Sequence, residues 1–215
     1  MPNHTSNRLL VTADAETLES IFTAHFDATG TLDLNTIVPM PDAVRNSTSG
    51  SGSHQAQKLL SEGVPVESLL ESPETDEPVK AALRLYQDFG YVSWYEWALA
   101  NWGTKWNCYE GSVDVVAGSL EALFQSAWCP PLPAIAALSG RYPDAVFCLD
   151  ALDEGGGFAV TDTFRGGRRV LCRSWDWAEM ASEVFCMDVS DEEDGETDDK
   201  PDAPENRGYR NIRLS

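Results

Sequence analysis

Apolar positions along the chain change their spacing several times, and each change marks an element. Residues 8–12 (RLLVT) read as a short strand, after which Asp14 can cap a helix with Leu18, Ile21, Phe22 and Phe26 on one stripe. His25 falls beside that stripe and reads as a helix-flank or partly buried residue rather than a ligand. Leu32, Leu34, Thr36 and Val38 then alternate, the spacing of a strand, until Pro39-Met40-Pro41 stops it. These three pieces predict a β-α-β unit. Residues 46–54 (NSTSGSGSH) are small or polar and predict a flexible loop. Residues 55–75 allow one or two short helices broken at Gly63 and Pro65. Asp76-Glu77-Pro78 then opens a clearer helix, with Val79, Leu83, Tyr86 and Phe89 along one side before Gly90.

The stretch 91–109 (YVSWYEWALANWGTKWNCY) holds four of the seven tryptophans and organises the reading of everything around it. Ser93 and Glu96 have the spacing of a capping box, which starts a helix at Trp94, and Gly103 can take the positive φ that ends one. Trp94, Trp97, Ala98 and Asn101 share a face, so the expected result is an aromatic cluster in the core or at the seam between two layers, with a base-stacking or ligand platform as the alternative. Residues 112–116 and 120–128 alternate as two strands, and Cys129-Pro130-Pro131 leads into a helix carrying Leu132, Ile135, Ala136 and Leu138. Residues 145–152 are almost continuously apolar, as a central strand would be. A hairpin turning at Gly166-Gly167 follows, then a helix with Asp176 and Glu179 at its start.

Charge changes the picture more than any other bulk property. The formal net charge is −20; residues 188–205 hold ten Asp/Glu and one Lys, and residues 206–215 add three Arg, so residues 1–187 carry −14. The tail is expected to be disordered, acidic and then weakly basic, but the body is acidic without it. Nucleic acid and anionic membrane surfaces are bound through Lys and Arg, so this balance opposes both. The start of the sequence lacks the pattern of a secretory signal, and no run of about 20 apolar residues is present, which leads us to expect a cytoplasmic protein. Five cysteines without Cys-x-x-Cys spacing read as buried free thiols, and no metal site, P-loop or EF-hand spacing occurs. No cofactor is implied.

The element order β-α-β, insertion, β-β-α-β predicts an α+β fold: a ferredoxin-like split β-α-β sheet extended by hairpins. Residues 1–187 then form a single domain, 42–103 a helical insertion within it, and 188–215 the tail. Particular residues add to this: Met1-Pro2-Asn3 with Ser6-Asn7-Arg8-Leu9, Ile37-Val38-Pro39-Met40-Pro41, Asn101-Trp102-Gly103-Thr104-Lys105-Trp106-Asn107, and Ala127-Trp128 with Pro130-Pro131. Over roughly residues 1–165 the sequence resembles the Api92-like family of phage and plasmid proteins. The resemblance implies a ferredoxin-like domain and a mobile-element context, and it implies no catalytic residues.

The leading functional expectation is a non-enzymatic phage or plasmid accessory protein that binds and inhibits a host DNA-handling or defence complex through carboxylates imitating phosphates. Its expected interaction residues are Asp114, Glu121, Asp150, Asp153 and Glu154, with Trp102, Lys105 and Trp106 at the tryptophan turn. Lys105, between Trp102 and Trp106, is expected to lock that turn by a cation–π contact or to face an anionic ligand. Two alternatives stand beside this reading. One is a nucleic-acid-binding sheet using Phe158-Ala159-Val160 with Arg165, Arg168, Arg169 and Arg173. The other is an enzyme pairing Asp150, Asp153 and Glu154, or Asp114 with Glu121, as acid and base.

Overall fold

The computed structural model describes residues 3–116 and 118–188. Among them, strands β1 (His4–Thr12), β2 (Tyr109–Val116), β3 (Ser119–Ala127), β4 (Val146–Asp153), β5 (Ala159–Arg165) and β6 (Arg168–Ser174) form one sheet in the order β2-β3-β1-β4-β5-β6. Every pairing is antiparallel. β1 alternates strictly, with Thr5, Asn7, Leu9 and Val11 buried and His4, Ser6, Arg8 and Leu10 half-exposed, as one face of an antiparallel strand packs and the other stays open. Leu9 lies opposite both Ala122 and Leu149, so the buried residues of three strands coincide. Helices α1 (Ala15–His25) and α8 (Leu132–Arg141) close over that face with Leu18, Ile21, Ile135 and Leu138.

Residues 32–38 do not form the expected strand. One helical turn, α2 (Leu34–Ile37), stands there, and only Leu32 makes a bridge, to Phe26. The inward residues Leu34 and Ile37 are three apart, and Asp33 caps the turn by accepting from Asn35 N at 2.9 Å. The apolar period at this point is therefore helical, and Thr36 is exposed. The partner that completes the split β-α-β unit is β2, so α2, α3 (Asp42–Arg45), α4 (Ser51–Ser61), α5 (Val66–Glu71), α6 (Glu77–Phe89) and α7 (Trp94–Asn101) all lie within the β1-to-β2 crossover.

Nor are residues 46–54 a flexible loop throughout. α4 begins at Ser51, and Ser53 Oγ accepts from Gly50 N at 2.9 Å in place of a longer capping side chain. A Cβ added at Gly52 would lie 2.7 Å from Pro78 Cβ, so this glycine lets α4 reach the start of α6. The two helices, α5 and the chain at Val92 enclose a second core of Ala56, Leu69, Val79, Ala82, Leu83 and Val92. Leu85 belongs instead to the main core. Sharing α6 between two cores rotates Tyr86 and Phe89 outward, to 38% and 37% exposure, where a single stripe would have buried them. On α1 the same kind of shift leaves Phe22 exposed and brings His25 in. Helix α9 (Trp177–Glu183) packs Met180 and Ala181 on Leu152 and Ala159. The expected disordered tail lies outside the described residues apart from Asp188.

Gly52→Ala should destabilise the protein by about 1–3 kcal/mol despite the better helix propensity of alanine, because the overpacking is against backbone and a ring. Gly50, whose φ is extended and whose Cβ would meet nothing within 4 Å, should tolerate alanine with little change. Urea unfolding of both variants checks the difference.

His25 links three elements. Its Nδ1 is 2.8 Å from Thr36 Oγ1 and its Nε2 3.4 Å from Tyr142 Oη, while Arg141 donates to the Thr36 and Ile37 carbonyls at the end of α2. Burial first, and then the Arg141 charge, lower its pKa from 6.5 to about 4. The folded state thus holds it neutral where the unfolded chain begins to protonate. Its contribution to stability is complete above the unfolded pKa and declines as pH falls from about 6.5 toward 4, by at most about 1.4 kcal/mol per pH unit. Chemical denaturation from pH 7 to 5 should show this loss, and His25→Gln should flatten it.

Candidate functional site

Helix α7 begins as its sequence suggests, with one displacement. Ser93 Oγ accepts from Glu96 N, but the Glu96 carboxylate accepts from Val92 N at 3.1 Å, one residue earlier than in a standard capping box. The helix ends where Trp102 N and Gly103 N both donate to Ala98 O, with Gly103 at φ 87°. Trp97 and Trp102 are buried edge-to-face, centroids 5.3 Å apart, and Trp102 Nε1 donates to Val38 O at 2.8 Å. Thr104 is buried; its Oγ1 donates to Ala127 O and accepts from Ala127 N. Asn107 Oδ1 accepts from Leu34 N and Cys108 N, and its Nδ2 donates to Asp33 Oδ1. Within the run 101–107, Thr104 therefore fastens α7 to the end of β3, Asn107 to the start of α2 and Trp102 to its end.

Lys105 and Trp106 are half-exposed, as are Asn101, Gly103 and Asn107. The Lys105 ammonium lies 4.9 Å from the Trp106 ring and 4.5 Å from that of Trp128, the latter taking the place expected for Trp102, which is committed to the core. Trp128 holds φ 70°, an uncommon value for a bulky residue, with its N–H donating to Asn3 O and its ring edge-to-face with Tyr95. Beside Lys105 opens a cleft of about 400 Å³, lined by Met40, Trp94, Trp102, Trp106 and Arg45 together with Asp33, Asn35 and Asn107.

The sheet carboxylates have a different fate from the one expected of an interaction surface. Asp114 and Glu121 stand opposite each other across β2 and β3. Arg8 on β1 reaches Glu121 at 2.5 Å and Asp150 on β4 at 3.6 Å, and the Glu121 hydrogen bond is the main reason its pKa is raised. Thr161 Oγ1 also donates to Asp150, which is buried. Asp153 is buried as well: its carboxylate accepts from Gly157 N at 2.9 Å and its carbonyl from Trp177 Nε1 at 2.7 Å, holding the glycine turn and α9. Asp114 and Glu154 remain exposed, but near opposite ends of β1, since Glu154 N donates to His4 O whereas Asp114 pairs at the Leu10 end. Thus the five do not form one free acidic face.

Two of the four basic residues of the hairpin are similarly engaged. Arg169 pairs with the wholly buried Asp162, Arg173 stacks 3.5 Å over Trp175, and Arg165 and Arg168 face each other beside the β5–β6 turn. Ala159, in the stretch considered for base stacking, is covered by α9. Of the cysteines Cys108 is buried, Cys129 and Cys148 are intermediate, and Cys172 and Cys186 are exposed, so the expectation of uniformly buried thiols is corrected by the edge position of β6 and by Cys186 lying beyond α9. Among the described residues no group of three or more His, Cys, Asp or Glu is placed to hold a metal ion.

Residues 101–198 match the family model described as the ferredoxin-like domain in Api92-like protein. This part of the chain is similar to the ferredoxin-like domain of the Api92-like family. A crystal structure of the protein Api92 from Yersinia pseudotuberculosis is similar at 13% identity, covering 81% of this chain and 98% of that one, with a TM-score of 0.47. No curated protein matches. The Api92-like segment contains β2 to β6, α8 and α9, and the sheet order shows the ferredoxin-like arrangement, with β1, from outside the matched segment, inserted between β3 and β4.

Outside the Api92-like segment lies a feature that the expected interaction residues did not include. Glu62, Glu67, Glu71, Glu74, Asp76 and Glu77 are all exposed, with no Lys or Arg from 62 to 77. The run is visible in the sequence as six carboxylates between residues 62 and 77 without an intervening cation. Replacing Arg8 by Met should cost about 2–4 kcal/mol, because Asp150 would be left buried without its cation. Asp114→Asn and Glu154→Gln should stay within about 0.5 kcal/mol; thermal or denaturant unfolding distinguishes the two groups.

Proposed function

We propose that this Api92-like chain is a non-enzymatic accessory protein of a phage or plasmid, acting in the cytoplasm of a bacterial host, that presents an acidic folded surface to a basic groove of a DNA-handling or defence protein. The observation that carries the reading is the exposed run from Glu62 to Glu77. Glu62 and Glu77 make exposed pairs with Lys58 and Arg84 at 3.9 and 3.4 Å, while Glu67, Glu71, Glu74 and Asp76 enter no ion pair among the described residues. Glu67 and Glu71 are four apart on α5, an arrangement of like charges that costs a few tenths of a kcal/mol in an isolated helix and that a cationic partner would relieve. Duplex DNA carries about one charge per 1.7 Å, and its binding proteins present Lys and Arg to meet it. A rigid carboxylate array can occupy the same groove. The site is thereby moved from the sheet, where Arg8 engages Glu121 and Asp150, to the insertion.

The test is affinity capture from nuclease-treated host lysate at low salt. A genuine decoy retains a nucleic-acid-binding complex that duplex DNA displaces and high salt releases. Capture should persist in Asp114→Asn and in a chain truncated after Asp188, and should be lost in the triple variant Glu67→Lys, Glu71→Lys, Glu74→Lys. Undiminished capture by the triple variant would sink the proposal.

A further inference from the structure

The cleft beside the tryptophan turn is chemically unlike the rest of this acidic molecule. Two cations reach it from separate elements, Arg45 from α3 and Lys105 from the turn after α7, and three indoles line it. Lys105 is held by the rings of Trp106 and Trp128 and makes no ion pair among the described residues. Arg45 is fixed through Nη2, which donates to Asn35 Oδ1 at 2.9 Å and Met40 O at 3.3 Å, with Asp42 4.0 Å from Nη1 and 90% exposed. Such a pinned guanidinium retains donors for an anion and loses little side-chain freedom on binding one. Met40 and Trp102 are each 6% exposed and give the cleft an apolar base, and Trp94 and Trp106 are half-exposed ring surfaces. Asp33 is the acidic member, and its Oδ1 is committed to Asn35 N and Asn107 Nδ2.

We propose that this cleft is a binding site for a small planar aromatic anion of nucleoside-monophosphate type, its ring against Trp94 or Trp106 and its anionic group between Lys105 and Arg45. The volume, about 400 Å³, falls within the size range of small-molecule sites. Ring stacking on an indole and a charge-assisted contact to a fixed cation are complementary contributions that one such ligand satisfies together. A quaternary or other cationic ligand is disfavoured, because Lys105 already occupies the cation position over Trp106. A nucleic-acid strand is disfavoured for another reason. A single anionic group is screened from distant carboxylates over a Debye length of about 8 Å, whereas a strand would run out of the cleft into the field of a body carrying −14. The inference rests on other residues than the acidic run from Glu62 to Glu77 and does not depend on the decoy reading.

The experiment titrates the full chain with adenosine monophosphate, adenosine, inorganic phosphate and a short single-stranded oligonucleotide. Binding is followed by calorimetry and by the indole N–H resonances of the unaltered protein. The monophosphate should shift the Trp94 and Trp106 resonances and leave Trp175 and Trp177 in place, and should bind at least about tenfold more tightly than adenosine or phosphate alone. Lys105→Met should weaken it by at least about tenfold. Because that variant also removes the contact that steadies the turn, Arg45→Gln on a separate element should weaken it too, with the unfolding midpoint of each variant as a control. Absence of shifts at millimolar monophosphate, shifts centred on Trp175 and Trp177, equal affinity for phosphate alone, or tighter binding of the oligonucleotide would each overturn the assignment.

Discussion

The crossover from Thr12 to Tyr109 has to bring β2 back beside β3, one strand away from β1 and in fixed register, after a long helical excursion. Loop closure over such a length carries an entropic cost that local helix propensity cannot offset. The run 101–107 meets it with buried and half-buried hydrogen bonds. Thr104 exchanges a pair with Ala127 at the end of β3, Asn107 holds the first free N–H of α2, and Trp102 joins its indole N–H to Val38 O. Gly103 is indispensable to the geometry, since a Cβ there would sit 2.4 Å from Pro133 Cδ in addition to its left-handed φ. With these contacts in place the main core, the smaller insertion core and the cleft all acquire their positions. The aromatic stretch is thus a joint between two packed bodies of side chains more than it is the centre of either.

The distribution of charge follows a division of labour. Many of the cations are used inward or locally: Arg8 across three strands, Arg169 on buried Asp162, Arg141 on the end of α2, Arg173 on an indole. The carboxylates are in excess, and those from Glu62 to Glu77 on the insertion face water. A large negative net charge therefore coexists with a fold in which buried Asp150 and Asp162 each face an arginine and buried Asp153 is held by a backbone N–H. This is the arrangement expected where stability and surface recognition are assigned to different residues.

Much of the secondary structure was legible because it is written in local chemistry. Asp14, Ser93 and Asp176 do cap helices, Pro78 and Gly90 bound α6, and Gly166-Gly167 turns the last hairpin. What escaped depends on neighbours remote in sequence. Leu34 and Ile37 could be read at period two or period three, and only the capping contacts of Asp33 and Asn107 decide between them. Gly52 resembles linker until Pro78 is beside it. The engagement of Glu121 and Asp150 with Arg8 requires the register of β3, β1 and β4, which no single stretch specifies. Trp128 replaces Trp102 as a partner of Lys105 for the same reason. At the candidate sites the residue types could be read, but their accessibility could not.

The central place of β1 has a consequence during synthesis. Its side chains meet their partners on β3 at separations of 113 to 119 residues, as in Arg8 with Glu121 and Asn7 with Ser126, and those on β4 later still. At roughly 5–20 residues per second, the ribosome takes several seconds or more to deliver β3 after β1 has emerged. During that interval Leu9 and Val11 lie on a strand with neither edge paired. The nascent chain therefore presents an early, unpaired β-segment that a chaperone, or a neighbouring nascent chain, can reach before the molecule's own sheet can close around it.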